Sequence, residues 1–384
     1  MFPLLDQPAA VAELRGMYTR YLDTAAEHGF GALMGGFDYR ASPDWAGLIG
    51  YSRDALEDMQ LRAIGFLREV GEPYRAELPA LVYVGIVGPR GDAYALNDAI
   101  TAEDAEDYHS TQITTLARAE VDLVEAMTFN SIPEAVGVAR AAARAGLPAS
   151  ISFTLDSNHR LHSGPSLKDA IETVDELAGD HRPAFYGINC SHPLEFLPAL
   201  EPGDWFQRVR CLRPNAAMMD KISLCTLGHL ESGDPADLGR HMGELARRYP
   251  HLDIWGGCCG TWDTHLTEIA SNVIGHERSP PDPEPDRWAW SPPGGSSARR
   301  EHLSHPAGAG AADRHSPCWD SSSLTRAVSY RPDPVIRGDV FPAPTGSTPT
   351  AGFPAPTALA PCWRASRPVS LPVHVARSET GSGA

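Results

Sequence analysis

The sequence predicts an α/β fold of repeated strand–helix units, followed by a tail of different character. Up to about residue 278, short apolar runs alternate with longer amphipathic stretches, which is the pattern of βα units around a parallel sheet. Several amphipathic stretches end in Gly or in a turn containing Asn or Pro, as helix C-termini do. After residue 278 the apolar periodicity stops.

The short apolar runs are the predicted strands, and the amphipathic stretches are the predicted helices. The strands are residues 31–36, 81–88, 121–127, 149–155, 184–190, 208–212 and 252–257. The helices are residues 10–29, 52–71, 102–121, 132–146, 166–179, 235–250 and 264–275. Seven strands preceded by a helix are one strand short of a (β/α)8 barrel, and the same count permits a doubly wound open sheet. The pattern alone leaves both architectures open.

Composition restricts the partners. The chain has 384 residues, of which 42% are hydrophobic, so it can bury a substantial core. Its net charge of −17 disfavours nucleic acid and anionic membrane surfaces, which are bound through Lys and Arg clusters. No apolar run approaches the roughly 18 residues of a membrane span, and the first residues lack the features of a signal peptide. We therefore expect a cytoplasmic protein that binds small molecules.

The final part of the chain, residues 279–384, is rich in Pro, Gly, Ser and Arg. It holds 18 of the 34 prolines, which would interrupt helices and strands repeatedly. We expect residues 1–278 to form one domain and residues 279–384 to be a disordered low-complexity tail.

Three of the seven cysteines follow predicted strands: Cys190 ends one, and Cys258 and Cys259 come directly after the last. The carboxyl ends of parallel strands form one face of the fold, so these thiols could converge there. Three thiolates favour Zn²⁺, and three protein ligands with an open fourth position form a catalytic arrangement. Two alternatives stay open: cysteines buried as small apolar residues, and a redox pair of Cys258 and Cys259.

The motif GGCCGT at 256–261, together with the earlier GINC at 187–190, resembles the homocysteine S-methyltransferase family. Three further segments follow in the family's order: VGIVGPRGDAY, DLVEAMTFNSIPEA and LRPNAAMMDKI. The similarity covers roughly residues 8 to 277.

The resemblance implies a (β/α)8 TIM-type barrel in which Cys190, Cys258 and Cys259 hold zinc. It implies methyl transfer from a cationic donor, S-methylmethionine or a similar compound, to the thiolate of homocysteine, as in methionine biosynthesis. Glu125 matches the family position, at the end of a strand, that holds the substrate ammonium. Tyr39, Trp45 and Trp262 could offer ring faces to a cationic donor, although packing is the commoner role for such aromatics.

The chain departs from the family pattern at its start. A first strand with an Asp-Gly-Gly segment has no counterpart, and Gly35, Gly36 and Asp38 stand where small hydroxyl residues are expected. This departure supports an alternative hypothesis, a catalytically impaired truncated homologue that keeps only the zinc-thiolate site. A barrel without one strand has exposed edges.

Overall fold

The computed structural model describes residues 2–94, 100–219, 223–224, 227, 229–274, 328–329 and 373–376. All seven predicted strands are present. They are β1 (Gly31–Gly35), β2 (Leu81–Val87), β3 (Leu123–Phe129), β4 (Ala149–Phe153), β5 (Phe185–Asn189), β6 (Val209–Arg213) and β7 (Ile254–Trp255).

Each of these strands pairs in parallel with the next strand along the chain, so the sheet order from β1 to β7 is the chain order. A doubly wound sheet would reverse its order at an internal strand, and this sheet has no such reversal. The sheet is therefore a curled, seven-stranded parallel sheet. The eight parallel strands of a complete (β/α)8 barrel are not found in the described residues.

Two short segments from the predicted tail also pair with the sheet. Val373–Ala376 (β9) lies between β7 and β1, antiparallel to both, and Val328–Ser329 (β8) pairs antiparallel with β9. The rest of the predicted tail lies outside the described residues. The position between β7 and β1 thus holds an antiparallel strand where a complete barrel has a parallel one.

The seven predicted helices are found within three residues of their expected ends. With two unpredicted short helices, α2 and α7, they are α1 (Pro8–Glu27), α2 (Pro43–Gly47), α3 (Arg53–Gly71), α4 (Ala102–Arg118), α5 (Ile132–Arg144), α6 (Leu167–Ala178), α7 (Pro193–Phe196), α8 (Pro235–Arg248) and α9 (Asp263–Ile274). Capping boxes begin α4, at Thr101 and Asp104, and α6, at Ser166 and Asp169. Among the helices that the structure describes, none has the length and apolar character needed to cross a bilayer.

The core has two parts because the sheet has two apolar faces. The larger part packs the helices against the outer face of the sheet, and the smaller part lies on the inner face. The inner cluster consists of Leu33, Val82, Val84, Ile86, Leu123, Met127, Phe185, Cys211 and Ile254. Side chains alternate between the two faces along a strand, so the inward positions of β3 and β6 include Glu125 and Arg213.

Asp38 is a buried carboxyl just after β1. Its Oδ2 accepts a hydrogen bond from the Ile86 N–H at 2.9 Å. Burial raises the pKa of Asp38 from 3.8 to about 7, against the lowering effect of that hydrogen bond. Charging this group in the folded protein is therefore unfavourable near neutral pH.

The Asp38→Asn variant should remove this pH dependence. Because the folded pKa lies above the unfolded value, the wild-type free energy of unfolding should fall, relative to the variant, as pH rises from about 4 to about 7. Urea denaturation of both proteins from pH 5 to pH 8 measures the difference.

Asp44→Asn is the matched control. Partial burial acts to raise the pKa of Asp44, but hydrogen bonds from Ser42 and Tyr108 lower it overall. The contribution of ionised Asp44 to the free energy of unfolding is therefore lost only in more acidic solution. From pH 5 to pH 8, the free energy of unfolding of this variant should change with pH as that of the wild type does. If the free energies of unfolding of the wild type and of Asp38→Asn changed with pH in parallel over this range, the raised pKa of Asp38 would be contradicted.

Candidate metal centre

Three thiols meet at the carboxyl ends of β5 and β7. The Sγ atoms of Cys190, Cys258 and Cys259 lie within 4.8 Å of one another, and the Cys190 and Cys259 sulfurs are 3.8 Å apart. Cys190 and Cys258 are buried, and Cys259 is partly exposed. The sequence-based expectation that these residues converge is confirmed.

Two of the three sulfurs are joined in this structure. Cys190 and Cys258 form a disulfide, with their Cα atoms 5.3 Å apart, and Cys259 is a free thiol. The redox alternative placed the bond between the adjacent Cys258 and Cys259, and that pairing is not the one found. The observed bond joins two loops that are 68 residues apart in the sequence.

Two buried asparagines hold the thiol loops, and sequence reasoning missed both. The Asn215 side chain accepts a hydrogen bond from the Cys259 N–H at 3.0 Å and donates one to the Cys190 carbonyl at 3.1 Å. The Asn189 side chain amide donates to Thr128 Oγ1 at 2.8 Å and lies 3.7 Å from the Cys258 sulfur. Each Asn lies at or just after a strand end, inside the quoted GINC and LRPNAAMMDKI segments, and that position was the available signal.

The backbone of the site adopts conformations that most residues avoid. Cys190 and Thr128 have φ values of 55° and 64°, in the left-handed region that is costly for residues with a Cβ. Gly260 has φ 85°, and a Cβ there would collide with the Glu231 carbonyl, so glycine is required. Strained positions of this kind cluster at functional sites.

The donor set fits a thiophilic metal ion. With a Zn–S bond of about 2.3 Å, two thiolates of a tetrahedral site are about 3.8 Å apart. The Cys190 and Cys259 sulfurs are separated by 3.8 Å, and Cys258 belongs to the same cluster. Metal ligation requires thiolates, so the Cys190–Cys258 bond would have to be reduced first.

Glu125 occupies a different place from the one predicted. It is the third residue of β3, which spans Leu123–Phe129, and does not lie at the end of the strand. Its side chain is buried inside the curled sheet, where its carboxylate forms an ion pair with Arg213 and accepts a hydrogen bond from Ser152 Oγ at 3.3 Å. Its contact with a substrate ammonium stays a prediction.

The three aromatic candidates differ in their surroundings. Burial raises the pKa of Tyr39, whereas the Arg40 charge and a hydrogen bond with Thr128 lower it. The Arg40 guanidinium lies 5.0 Å from the Tyr39 ring centre and 4.8 Å from that of Trp45. Trp262 donates its indole N–H to Ser232 Oγ at 2.8 Å. Tyr39 and Trp45 thus already contact a cation of this chain.

Comparisons with known proteins find similarity to homocysteine methyltransferases. A family model described as homocysteine S-methyltransferase matches residues 4–273. The fold is similar to that of the homocysteine methyltransferase MmuM from Escherichia coli in its oxidized form, with 22% identity, a TM-score of 0.55 and coverage of 70% of this chain and 86% of that one. The metallated form of MmuM gives 21% identity, a TM-score of 0.52 and coverage of 71% and 86%.

The Asn215→Ala variant should weaken metal binding without removing a ligand. The variant loses both hydrogen bonds that hold the Cys190 and Cys259 loops. Mutating residues that orient the metal ligands typically lowers metal affinity by about 10- to 100-fold. Competition between the reduced protein and a chromogenic chelator for Zn²⁺ or Co²⁺ measures the effect. Asn272→Ala, which removes a hydrogen bond to Glu268 within α9, is the control. Equal affinities for the two variants would contradict the role of Asn215.

Proposed function

The chain belongs to the homocysteine S-methyltransferase family, and from this premise we propose that it transfers a methyl group from a cationic donor to the thiolate of homocysteine, giving methionine. S-methylmethionine or a similar onium compound is the proposed donor, and Zn²⁺ bound by Cys190, Cys258 and Cys259 is the proposed cofactor. The observation that carries the proposal is the convergence of these three thiols at the strand ends.

The chemistry follows from the donor set. Cys190, Cys258 and Cys259 would hold Zn²⁺, and the bound ion would supply a Lewis acid that keeps an acceptor thiol deprotonated near neutral pH. The acceptor sulfur forms a bond to the methyl carbon while the bond from that carbon to the donor's sulfonium sulfur breaks, and the donor leaves as a neutral sulfide. Asn215 and Asn189 keep the thiol loops in place during this step, so the ligands need no rearrangement.

The charge of the chain is consistent with a cationic donor. A net charge of −17 creates a negative potential that attracts cations and repels polyanions such as nucleic acid. Thiolate ligands also require a reducing compartment, which is consistent with the proposed cytoplasmic location.

A second candidate function is metal binding without methyl transfer. It is favoured by the seven parallel strands of the sheet and by Gly35, Gly36 and Asp38 at the end of β1, where the family pattern has small hydroxyl residues. Such a protein would load zinc and still form no methionine from homocysteine. Zinc-loaded, folded protein that is inactive with every onium donor would establish this second function.

Replacing Cys190 or Cys259 by Ala should abolish zinc binding and methyl transfer together, because two thiolates and no third ligand hold zinc weakly. Zinc content per chain and methionine formed from homocysteine plus S-methylmethionine are the two measurements.

The matched control is Cys211→Ala. Cys211 is a buried thiol on β6 that does not belong to the thiol cluster. Burial raises its pKa to about 12, so it stays protonated. This variant should keep stoichiometric zinc. Zinc retained by the Cys190 or Cys259 variant would show that the ligand set is wrong.

A further inference from the structure

A buried arginine lies inside the curled sheet, at the carboxyl end of β6. Arg213 is the last residue of β6 and is 0% exposed, as is Glu125, which faces it from β3. Arginine is almost never fully buried unless its charge is paired, and a buried pair is kept at a considerable cost in desolvation. Sequence reasoning did not identify Arg213, although it lies in the quoted LRPNAAMMDKI segment.

The guanidinium is satisfied on one nitrogen and poorly satisfied on the other two. Nη2 forms the ion pair with Glu125 and donates to Ser152 Oγ at 2.9 Å. Nη1 lies 3.0 Å from the Met127 sulfur, and the guanidinium also interacts with the buried Cys211 thiol. Both sulfurs are weak acceptors, and Nε has no hydrogen-bond partner of its own. Buried N–H donors without an oxygen acceptor are costly, so these donors are suited to a ligand that brings one.

The backbone of Arg213 lies next to the metal centre. The Arg213 carbonyl accepts a hydrogen bond from the Cys190 N–H at 3.2 Å, and Arg213 pairs in register with Asn189. Two residues further along the chain, Asn215 contacts both thiol loops. An acceptor whose sulfur is bound at the thiols would therefore have the rest of its short carbon chain close to this end of β6.

The charges decide which group of the acceptor is recognised there. Glu125 is already neutralised by Arg213, so it does not present an isolated negative charge to an ammonium group. The remaining donors of Arg213 attract a carboxylate, with which guanidinium forms strong charge-assisted hydrogen bonds. We propose that Arg213 binds the carboxylate of the acceptor thiol and that Glu125 and Ser152 position its guanidinium. This inference rests on the proposed function in taking the acceptor to be an amino-acid thiol.

Two analogues of homocysteine separate the possibilities. One is 4-mercaptobutyrate, which lacks the amino group, and the other is 3-mercaptopropylamine, which lacks the carboxylate. Calorimetric titration of the zinc-loaded full chain with homocysteine and each analogue gives the affinities without any methyl donor. We expect removal of the carboxylate to cost at least about tenfold more affinity than removal of the amino group. The reverse order would assign recognition to Glu125 and overturn the proposal.

The Arg213→Lys variant tests the residue itself. It keeps a positive charge beside Glu125, and it loses the planar set of donors. It should weaken homocysteine and 4-mercaptobutyrate by about tenfold or more and leave 3-mercaptopropylamine within about twofold of the wild type. An equal loss for all three ligands would indicate a purely structural role and would overturn the proposal.

Two further variants make the result independent of folding. Arg210→Lys is the matched control, since Arg210 lies on the same strand, faces outward and pairs with Asp253. The double variant Arg213→Met, Glu125→Gln removes both buried charges, so it avoids an unpaired charge and should lose the carboxylate preference. Should the arginine variants fail to fold, the wild-type comparison of the two analogues still decides the question.

The inference and the proposed function can fail separately. A carboxylate preference in a protein that forms no methionine would support the role of Arg213 and remove the methyltransferase function. Methionine formation by a protein without the carboxylate preference would support the methyltransferase function and remove the role of Arg213.

Discussion

The arrangement of the site depends on the backbone of one segment, residues 212–216, which leaves β6 between two thiol loops. On one side, Arg213 accepts a hydrogen bond from the Cys190 N–H. On the other side, the Leu212 and Pro214 carbonyls accept from Gly256 and Cys258, and the Ala216 N–H donates to the Cys259 carbonyl. These bonds continue the parallel pairing of β5, β6 and β7 beyond the strands. Three thiols from distant parts of the sequence converge because the loops that carry them bond to this segment.

The same segment joins two environments that are chemically different. Above it are soft sulfur atoms on loops, and below it are a buried carboxylate, a guanidinium and the Ser152 hydroxyl inside the sheet. A fully apolar interior would avoid the free energy of desolvating these charges, and buried ion pairs often add nothing to stability. Polar groups in this position are therefore better explained by binding than by folding. The seven-stranded parallel sheet supplies the rigid support that such a binding site needs.

The sequence was sufficient for the seven parallel strands, the seven longer helices and the thiol cluster. Apolar periodicity located the strands, and the rule that parallel strands carry functional residues at their carboxyl ends brought Cys190 to Cys258 and Cys259. It was insufficient for Glu125, because depth within β3 depends on where the strand begins and ends, and strand boundaries are the least certain feature of a pattern. The partner of Glu125 is 88 residues away, and no local pattern indicates a pair at that separation. The antiparallel strand β9 was missed because a Pro-rich surrounding sequence hides a run of four residues.

The left-handed backbone at Cys190 sets stability and function against each other. A non-glycine residue in this conformation costs of the order of 1 kcal/mol or more, and glycine would adopt it without strain. In the reduced protein, where the Cys190–Cys258 bond is absent, laboratory evolution for thermal tolerance alone would therefore favour glycine at this position and discard a thiol of the cluster. Only selection that also requires bound metal would retain the cysteine. Persistence of Cys190 among natural variants of this chain would thus be a record of selection for chemistry at the expense of stability.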